Sequence, residues 1–154
     1  MRKLIVASAS FNRDGVYPEV WAGIHSLTTE VFAGSPPEMD YARLAPNPED
    51  CPALIAKVQQ LDREFVGWPP EDVESIAAPT LVIVGDADIV RLGHATDRFH
   101  LLGGGVPGDF AAPPDSRFAV LPGTTHVGLV ERTDWLLSMI TELLDAPMTD
   151  VTSE

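Results

Sequence analysis

The sequence has one cysteine and few basic residues. Because Cys51 is the only cysteine among 154 residues, the chain cannot form an internal disulfide, as is usual for proteins of reducing compartments. Ten Lys and Arg residues face 23 Asp and Glu residues, which gives a formal net charge of −13. Ten cations are too few to neutralise nucleic-acid phosphates or anionic lipid headgroups. We therefore expect neither nucleic-acid nor membrane binding.

Long apolar runs are also missing, and no stretch could span a bilayer. The opening segment, residues 1–10, imitates a signal peptide because basic residues precede an apolar run and an Ala-Ser-Ala. That run is too short for a signal peptide and predicts a buried strand instead. We therefore expect a cytoplasmic location. The hydrophobic content of 45% suits one globular domain with a core.

Three apolar runs predict β-strands: Leu4–Ala9, Leu81–Val84 and Phe118–Leu121. The runs are continuous rather than alternating, which is typical of parallel strands covered on both faces. One helical pattern begins at Pro18 and a second near Pro52. Two more cover residues 94–102 and 132–144. The order predicts an α/β fold with a partial parallel sheet of about three strands and flanking helices, joined by right-handed crossovers.

The segment 11–75 differs in kind from the rest of the chain. It is rich in proline and acidic residues, mostly helical in pattern, and too long for a simple crossover. We therefore predict a helical cap or lid, inserted into a core made of residues 1–10 and 76–147. The polar tail, residues 148–154, is expected to be flexible.

Two strand-to-loop motifs end in titratable side chains. The first, residues 80–88, reads Thr-Leu-Val-Ile-Val-Gly-Asp-Ala-Asp, and the second, residues 118–126, reads Phe-Ala-Val-Leu-Pro-Gly-Thr-Thr-His. Catalytic groups collect beyond the carboxyl ends of parallel strands. A carboxylate can hold an imidazole that accepts a nucleophile's proton. The alternative is that Asp86 or Asp88 caps the following helix and that His126 makes a local turn bond.

These two motifs resemble the C-terminal half of α/β-hydrolase-fold enzymes. In that family one strand ends in Gly-x-x-Asp with the catalytic acid, and the next ends in a turn with the catalytic histidine. The resemblance implies that Asp88 is the acid and His126 the base, with Asp86 as the less favoured acid. The opening strand is similar to the family's sixth strand, which precedes the cap. The resemblance thus covers nearly the whole chain but only half of the family's fold.

The family's nucleophile motif, Gly-x-Ser-x-Gly, is missing. No serine here has glycine both two residues before and two residues after it, and Ser8 and Ser10 lie in or just after the first strand rather than on an elbow. The oxyanion-hole loop is missing too. We therefore expect the chain to be inactive by itself.

The resemblance implies hydrolysis of an ester or related acyl bond in a small apolar substrate, without cofactor or metal. The glycine run at 103–105 does not predict nucleotide binding, because it follows a helix rather than a strand. Esterase, lactonase, dehalogenase and perhydrolase chemistries share this half of the fold, so the subtype stays open.

The expected partner is an N-terminal hydrolase half that carries the serine, either upstream in the same polypeptide or on another chain. Met1 falls where the sixth strand begins, so an internal start codon is a plausible origin. Self-association through the unpaired edge of the strand Leu4–Ala9 is the other expectation. The alternative functions are a truncated, non-catalytic binding or interaction protein and, with less support, a flavodoxin-like binding domain.

Overall fold

The computed structural model describes residues 2–110 and 112–148. It has an α/β architecture in which three parallel strands lie in the order β1 (Leu4–Ala7), β2 (Thr80–Ala87) and β3 (Arg117–Thr125). The predicted fold class is therefore confirmed. The prediction for the tail lies, apart from Met148, outside the described residues.

The strands differ in length from the predicted ones. β1 pairs with β2 from Leu4↔Thr80 to Ala7↔Ile83 and ends two residues earlier than expected. β2 and β3 are longer, because an irregularity between Gly85 and Ala87 lets their pairing continue to Ala87↔Thr125. Gly85 therefore lies inside a strand and not in the turn that its sequence context suggests.

The middle strand, β2, forms the centre of the core. Its residues 81–84 are only 1–2% exposed, as expected for a strand that is covered on both faces. One core cluster combines buried residues of β2, β3 and the chain that follows: Leu81, Ile83, Leu121, Leu129 and Leu143.

The C-terminal helix α7 spans Thr133–Asp145 and covers one face of this cluster. Its inward residues, Leu136, Met139, Ile140 and Leu143, follow the i, i+3, i+4, i+7 spacing of a helical stripe. The apolar pattern of residues 132–144 predicts that Trp135 points inward as well, but this is wrong, because its side chain is 46% exposed. Trp135 lies one position, or about 100°, off that stripe, under the Arg132 guanidinium, which is 5.3 Å from its ring centroid.

The other helices run as follows: α1 Pro18–His25, α2 Thr29–Phe32, α3 Pro36–Leu44, α4 Cys51–Glu64, α5 Pro70–Glu74 and α6 Leu92–Leu101. Single turns of 3₁₀ helix occur at Arg13–Gly15 and Pro48–Asp50, and a longer one at Val127–Glu131. α6 stops as expected at Gly103, whose φ of 80° is a left-handed conformation that favours glycine.

The chain divides into two compact units. The first contains the chain up to Val16 and from Gly67 onward, and the second is Tyr17–Val66. In the second unit the pattern that begins at Pro18 forms two helices, because Thr28 caps a new one by accepting a hydrogen bond from the Val31 N–H. The interpretation of residues 11–75 as a cap stays a prediction. Within the described parts of the chain, no helix combines the length and apolarity needed to cross a membrane.

Candidate active site

Three polar side chains follow the three strands directly. Ser8 comes after β1, Asp88 after β2 and His126 after β3, so all three lie at the carboxyl edge of the sheet. The two residues predicted to carry chemistry are in contact: the His126 Nδ1 is 3.1 Å from the Asp88 Oδ1. The Asp88 side chain is 0% exposed and the His126 side chain 39% exposed. The carboxylate is thus buried behind an imidazole that solvent reaches.

The Asp88 carboxylate accepts hydrogen bonds on both oxygens. Oδ1 accepts from the His126 Nδ1–H at 3.1 Å and from the Val90 N–H at 3.1 Å. Oδ2 accepts from the Gly85 N–H at 3.2 Å and from the Ser8 hydroxyl. Since a carboxylate offers about four lone-pair sites, these donors saturate it and leave the group little freedom to rotate.

The pKa of Asp88 follows from these contacts. Burial by itself raises the pKa of this carboxyl, but the hydrogen bonds from Ser8, Val90, Gly85 and His126 outweigh burial and hold the pKa below its ordinary value of 3.8. Asp88 is therefore ionised at neutral pH and can only accept hydrogen bonds. A neutral imidazole then presents its Nδ1–H to Asp88, and in that tautomer Nε2 is the acceptor.

The turn that carries His126 is held from two sides. The Thr124 N–H donates to the Asp86 Oδ1 at 3.1 Å. Arg132 donates from Nε to the Thr124 Oγ1 at 3.1 Å and from Nη2 to the Gly123 carbonyl at 2.9 Å. These bonds fix the backbone two residues before the imidazole.

Gly85 lets β3 approach β2 closely at this point. A Cβ atom built on Gly85 would lie 2.0 Å from the Thr124 carbonyl oxygen, which is too close for any side chain. The glycine in the Gly-x-x-Asp motif therefore leaves space for the strand that carries the histidine.

Asp86, the less favoured acid, takes a different place. Hydrogen bonds from the Gly123 and Thr124 backbone hold its pKa below the usual range. Its carboxylate links the ends of β2 and β3, while the imidazole of His126 is bonded to Asp88.

Sequence reasoning missed the contacts of Ser8 and Arg132. The signal for Ser8 was available, since it follows its strand directly, as Asp88 and His126 follow theirs. Arg132 carried no comparable signal, because its bonds depend on how the 3₁₀ turn at Val127–Glu131 folds back on β3.

A groove of about 390 Å³ lies within the first unit beside β1. Most of its lining is apolar: Leu4, Val6, Phe11, Val73, Ile76 and Leu102. In the part of the chain that the structure describes, no cluster of three or more His, Cys, Asp or Glu side chains could hold a metal ion.

No family model and no curated protein matches the sequence. Solved structures do resemble the fold. MGS-M2, an α/β-hydrolase enzyme from a Medee basin deep-sea metagenome library, is 10% identical with a TM-score of 0.65 and is matched over 99% of this chain and 59% of its own. The meta-cleavage product hydrolase CumD from Pseudomonas fluorescens IP01 is 16% identical with a TM-score of 0.58. It is matched over 94% of this chain and 56% of its own.

A third similar structure is the hydrolase BphD from Rhodococcus sp. strain RHA1, which is 18% identical with a TM-score of 0.57, over 94% of this chain and 56% of its own. The chain thus spans 56–59% of the length of these three proteins. Each match covers 94% or more of this chain. The chain therefore has a partial α/β-hydrolase fold.

Proposed function

We propose that this chain supplies the acid, Asp88, and the base, His126, of a hydrolase that cleaves an ester or related acyl bond in a small apolar substrate. The observation that carries the proposal is the hydrogen bond of 3.1 Å between the His126 Nδ1 and the buried Asp88 Oδ1. Asp–His pairs are common on solvated protein surfaces. In this pair, however, the ionised carboxylate has all its acceptor sites hydrogen-bonded and lies behind an imidazole that solvent reaches. That arrangement is the one that general-base catalysis requires.

The proposed chemistry uses the free nitrogen of the imidazole. Nε2 of His126 accepts the proton of a nucleophile's hydroxyl as its oxygen attacks the substrate carbonyl carbon. Asp88 stabilises the imidazolium that forms, and the imidazolium then protonates the leaving group. Water, activated by the same Nε2, releases the acyl group and regenerates the nucleophile.

The nucleophile is proposed to come from an N-terminal part, in the same polypeptide or on another chain. Two observations support this: no Gly-x-Ser-x-Gly occurs in the sequence, and the similar structures are longer, since the chain spans 56–59% of their length. We propose that this part pairs with the outer edge of β1.

The backbone of β1 is suited to such pairing. The N–H groups of Leu4 and Ser8 donate to the Pro79 and Ile83 carbonyls of the neighbouring chain segment. Since successive residues of a strand direct their N–H groups to opposite sides, those of Ile5 and Ala7 point away from β2. An apolar edge of this kind promotes strand addition.

Hydrogen exchange tests the pairing. We expect the Ile5 and Ala7 amides to exchange quickly in this chain alone and slowly in a protein extended by its upstream sequence, because exchange requires an unpaired amide. The Leu4 amide, which faces β2, serves as the internal control. Equal exchange of Ile5 and Ala7 in both proteins would refute pairing at this edge.

The catalytic proposal is tested in the extended protein with a short-chain p-nitrophenyl ester. Translation upstream of Met1 should reveal an in-frame Gly-x-Ser-x-Gly after a strand pattern. Asp88→Asn and His126→Ala should each lower kcat by roughly 10³-fold or more, while the chain alone should be inert. Asp86→Asn is the matched control and should cost far less. An Asp88→Asn variant with near-normal activity would overturn the assignment.

The apolar groove beside β1 favours a second candidate, a non-catalytic binding protein. In that case the isolated chain should bind an unreactive aryl ether of similar size to the ester, and Ile76→Arg in the groove wall should abolish binding. If the extended protein is active and the isolated chain binds no such ether, this alternative is excluded.

A further inference from the structure

The geometry points to Ser8 as a positioning residue that holds the Asp88 carboxylate in the orientation that His126 requires. This inference rests on the proposed function, because it gives Ser8 a part in the same relay. The hydroxyl of Ser8 donates to the Asp88 Oδ2, while the other oxygen, Oδ1, faces the imidazole. Holding Oδ2 in place therefore fixes the direction of Oδ1.

The backbone of Ser8 is unusual in a way that serves this contact. Its φ is +47°, and among the described residues no other position apart from glycine has a positive φ. A left-handed conformation of this kind is unfavourable for an L-residue other than glycine and persists only where the surroundings hold it. The Ser8 N–H still donates to the Ile83 carbonyl at 2.9 Å, so the chain stays paired with β2 up to the residue that turns.

Ser8 differs from the two backbone donors to Asp88 in where it is anchored. Gly85 and Val90 lie three residues before and two residues after Asp88 in the chain, so both belong to the segment that carries Asp88. Ser8 directly follows the neighbouring strand β1 and is 80 positions away in sequence. Its hydroxyl therefore ties the carboxylate to β1, and the order Ser8, Asp88, His126 follows the order of the strands β1, β2, β3.

The same contacts argue against Ser8 as the nucleophile. A nucleophile must lie within hydrogen-bond reach of the base that takes its proton. The Ser8 hydroxyl is bonded to the acid instead, on the carboxylate oxygen opposite to the one that faces His126. Ser8 is placed to orient the relay and not to attack the substrate.

The test begins with NMR on the chain itself, which needs no activity. The Asp88 carboxyl ¹³C shift reports its pKa, and ¹H–¹⁵N imidazole spectra report whether the His126 Nδ1 carries the proton. Ser8→Ala and Ser8→Gly should both raise the pKa of Asp88 and reduce the Nδ1–H form of His126, because both remove the hydroxyl. Glycine adopts a positive φ without strain, so this pair separates the hydroxyl from the backbone effect.

Two further variants complete the set. Ser8→Asn restores a donor on a residue that tolerates the left-handed conformation and should return both signals toward those of the unchanged chain. Ser10→Ala removes a serine hydroxyl two residues away, on the wall of the apolar groove, and should change neither signal. Unchanged Asp88 and His126 signals in both Ser8→Ala and Ser8→Gly would overturn the inference.

In the extended protein, Ser8→Ala should lower kcat about tenfold, as expected for the loss of one hydrogen bond to a charged group, with little change in KM. Ester hydrolysis that depends on Asp88 but not on Ser8 would overturn the positioning role. If the NMR signals respond to Ser8 but the extended protein hydrolyses no ester, the proposed function fails and the placement of Ser8 stands.

Discussion

Replacing Gly85 with alanine tests the close crossing of β2 and β3 on which the site depends. The new methyl carbon would lie 2.0 Å from the Thr124 carbonyl oxygen and 2.7 Å from its carbonyl carbon. A carbon–oxygen contact needs about 3.3 Å, so the strands must separate by roughly 1 Å. The obstacle is backbone and cannot rotate aside as a side chain could.

The cost follows from overpacking and from the contacts that the movement disturbs. Forcing an extra carbon into a packed core costs about 1–3 kcal/mol. Displacing Thr124 also weakens its N–H bond to the Asp86 Oδ1 of 3.1 Å, which adds about 1 kcal/mol. We therefore expect Gly85→Ala to lower the free energy of unfolding by about 3 kcal/mol, a large part of the 5–15 kcal/mol typical of such domains.

Urea denaturation followed by circular dichroism measures this loss. Gly93→Ala in α6 is the matched control, because a Cβ at Gly93 meets nothing within 4 Å and alanine favours the helix by up to about 1 kcal/mol. The two variants should thus change stability in opposite directions. The Gly85→Ala variant should also shift the imidazole signals of His126, since the displaced strand carries it.

A Gly85→Ala variant that unfolds within about 0.5 kcal/mol of the unchanged protein, the usual range for neutral surface changes, would refute the reasoning. An equal loss of stability in Gly93→Ala would show that any added methyl harms this unit. The first result would mean that β3 does not pass over Gly85 as closely as described, and the second that the loss in Gly85→Ala does not report on this crossing.

Two other predictions concern the core and acid pH. Leu143→Ala should lower the free energy of unfolding, measured by urea denaturation, by about 2–5 kcal/mol, because Leu143 is 1% exposed and its truncation leaves a cavity. Trp135→Ala should lower it by only about 1 kcal/mol, through the lost contact with Arg132. Equal losses would contradict the described face of α7. Burial holds the pKa of His94 below its ordinary value of 6.5, and its Nε2 accepts the Phe11 N–H at 3.1 Å. The unfolded chain therefore binds a proton at His94 more readily than the folded chain does. The contribution of neutral His94 to stability is fully present above about pH 6.5 and is lost as the pH drops toward the lower pKa of the folded state. His94→Gln should remove this part of the pH dependence, and an unchanged pH profile would contradict it.

The sequence by itself determined the fold class and the placing of two site residues. Short continuous apolar runs bounded by Gly and Pro favour strands of a parallel sheet between helices. Residues 81–84 of β2 are buried as this pattern predicts, whereas β1 and β3 are only partly buried. Because the carboxyl ends of such strands meet at one edge, the sequence alone predicts that Asp88 and His126 lie near each other. Their roles as acid and base stay proposals until the variants are measured.

Tertiary structure alone decided the details of the site. The contact of Ser8 with Asp88 joins residues 80 positions apart, and it depends on the register of β1 against β2, which no local pattern encodes. The narrow crossing at Gly85 accompanies an irregularity that prolongs the pairing of β2 and β3. The bonds of Arg132 depend on how the 3₁₀ turn before it folds back on β3. Local patterns report which face of an element is apolar, whereas hydrogen bonds across a sheet depend on shifts of a single residue, and these are decided only when the strands pack.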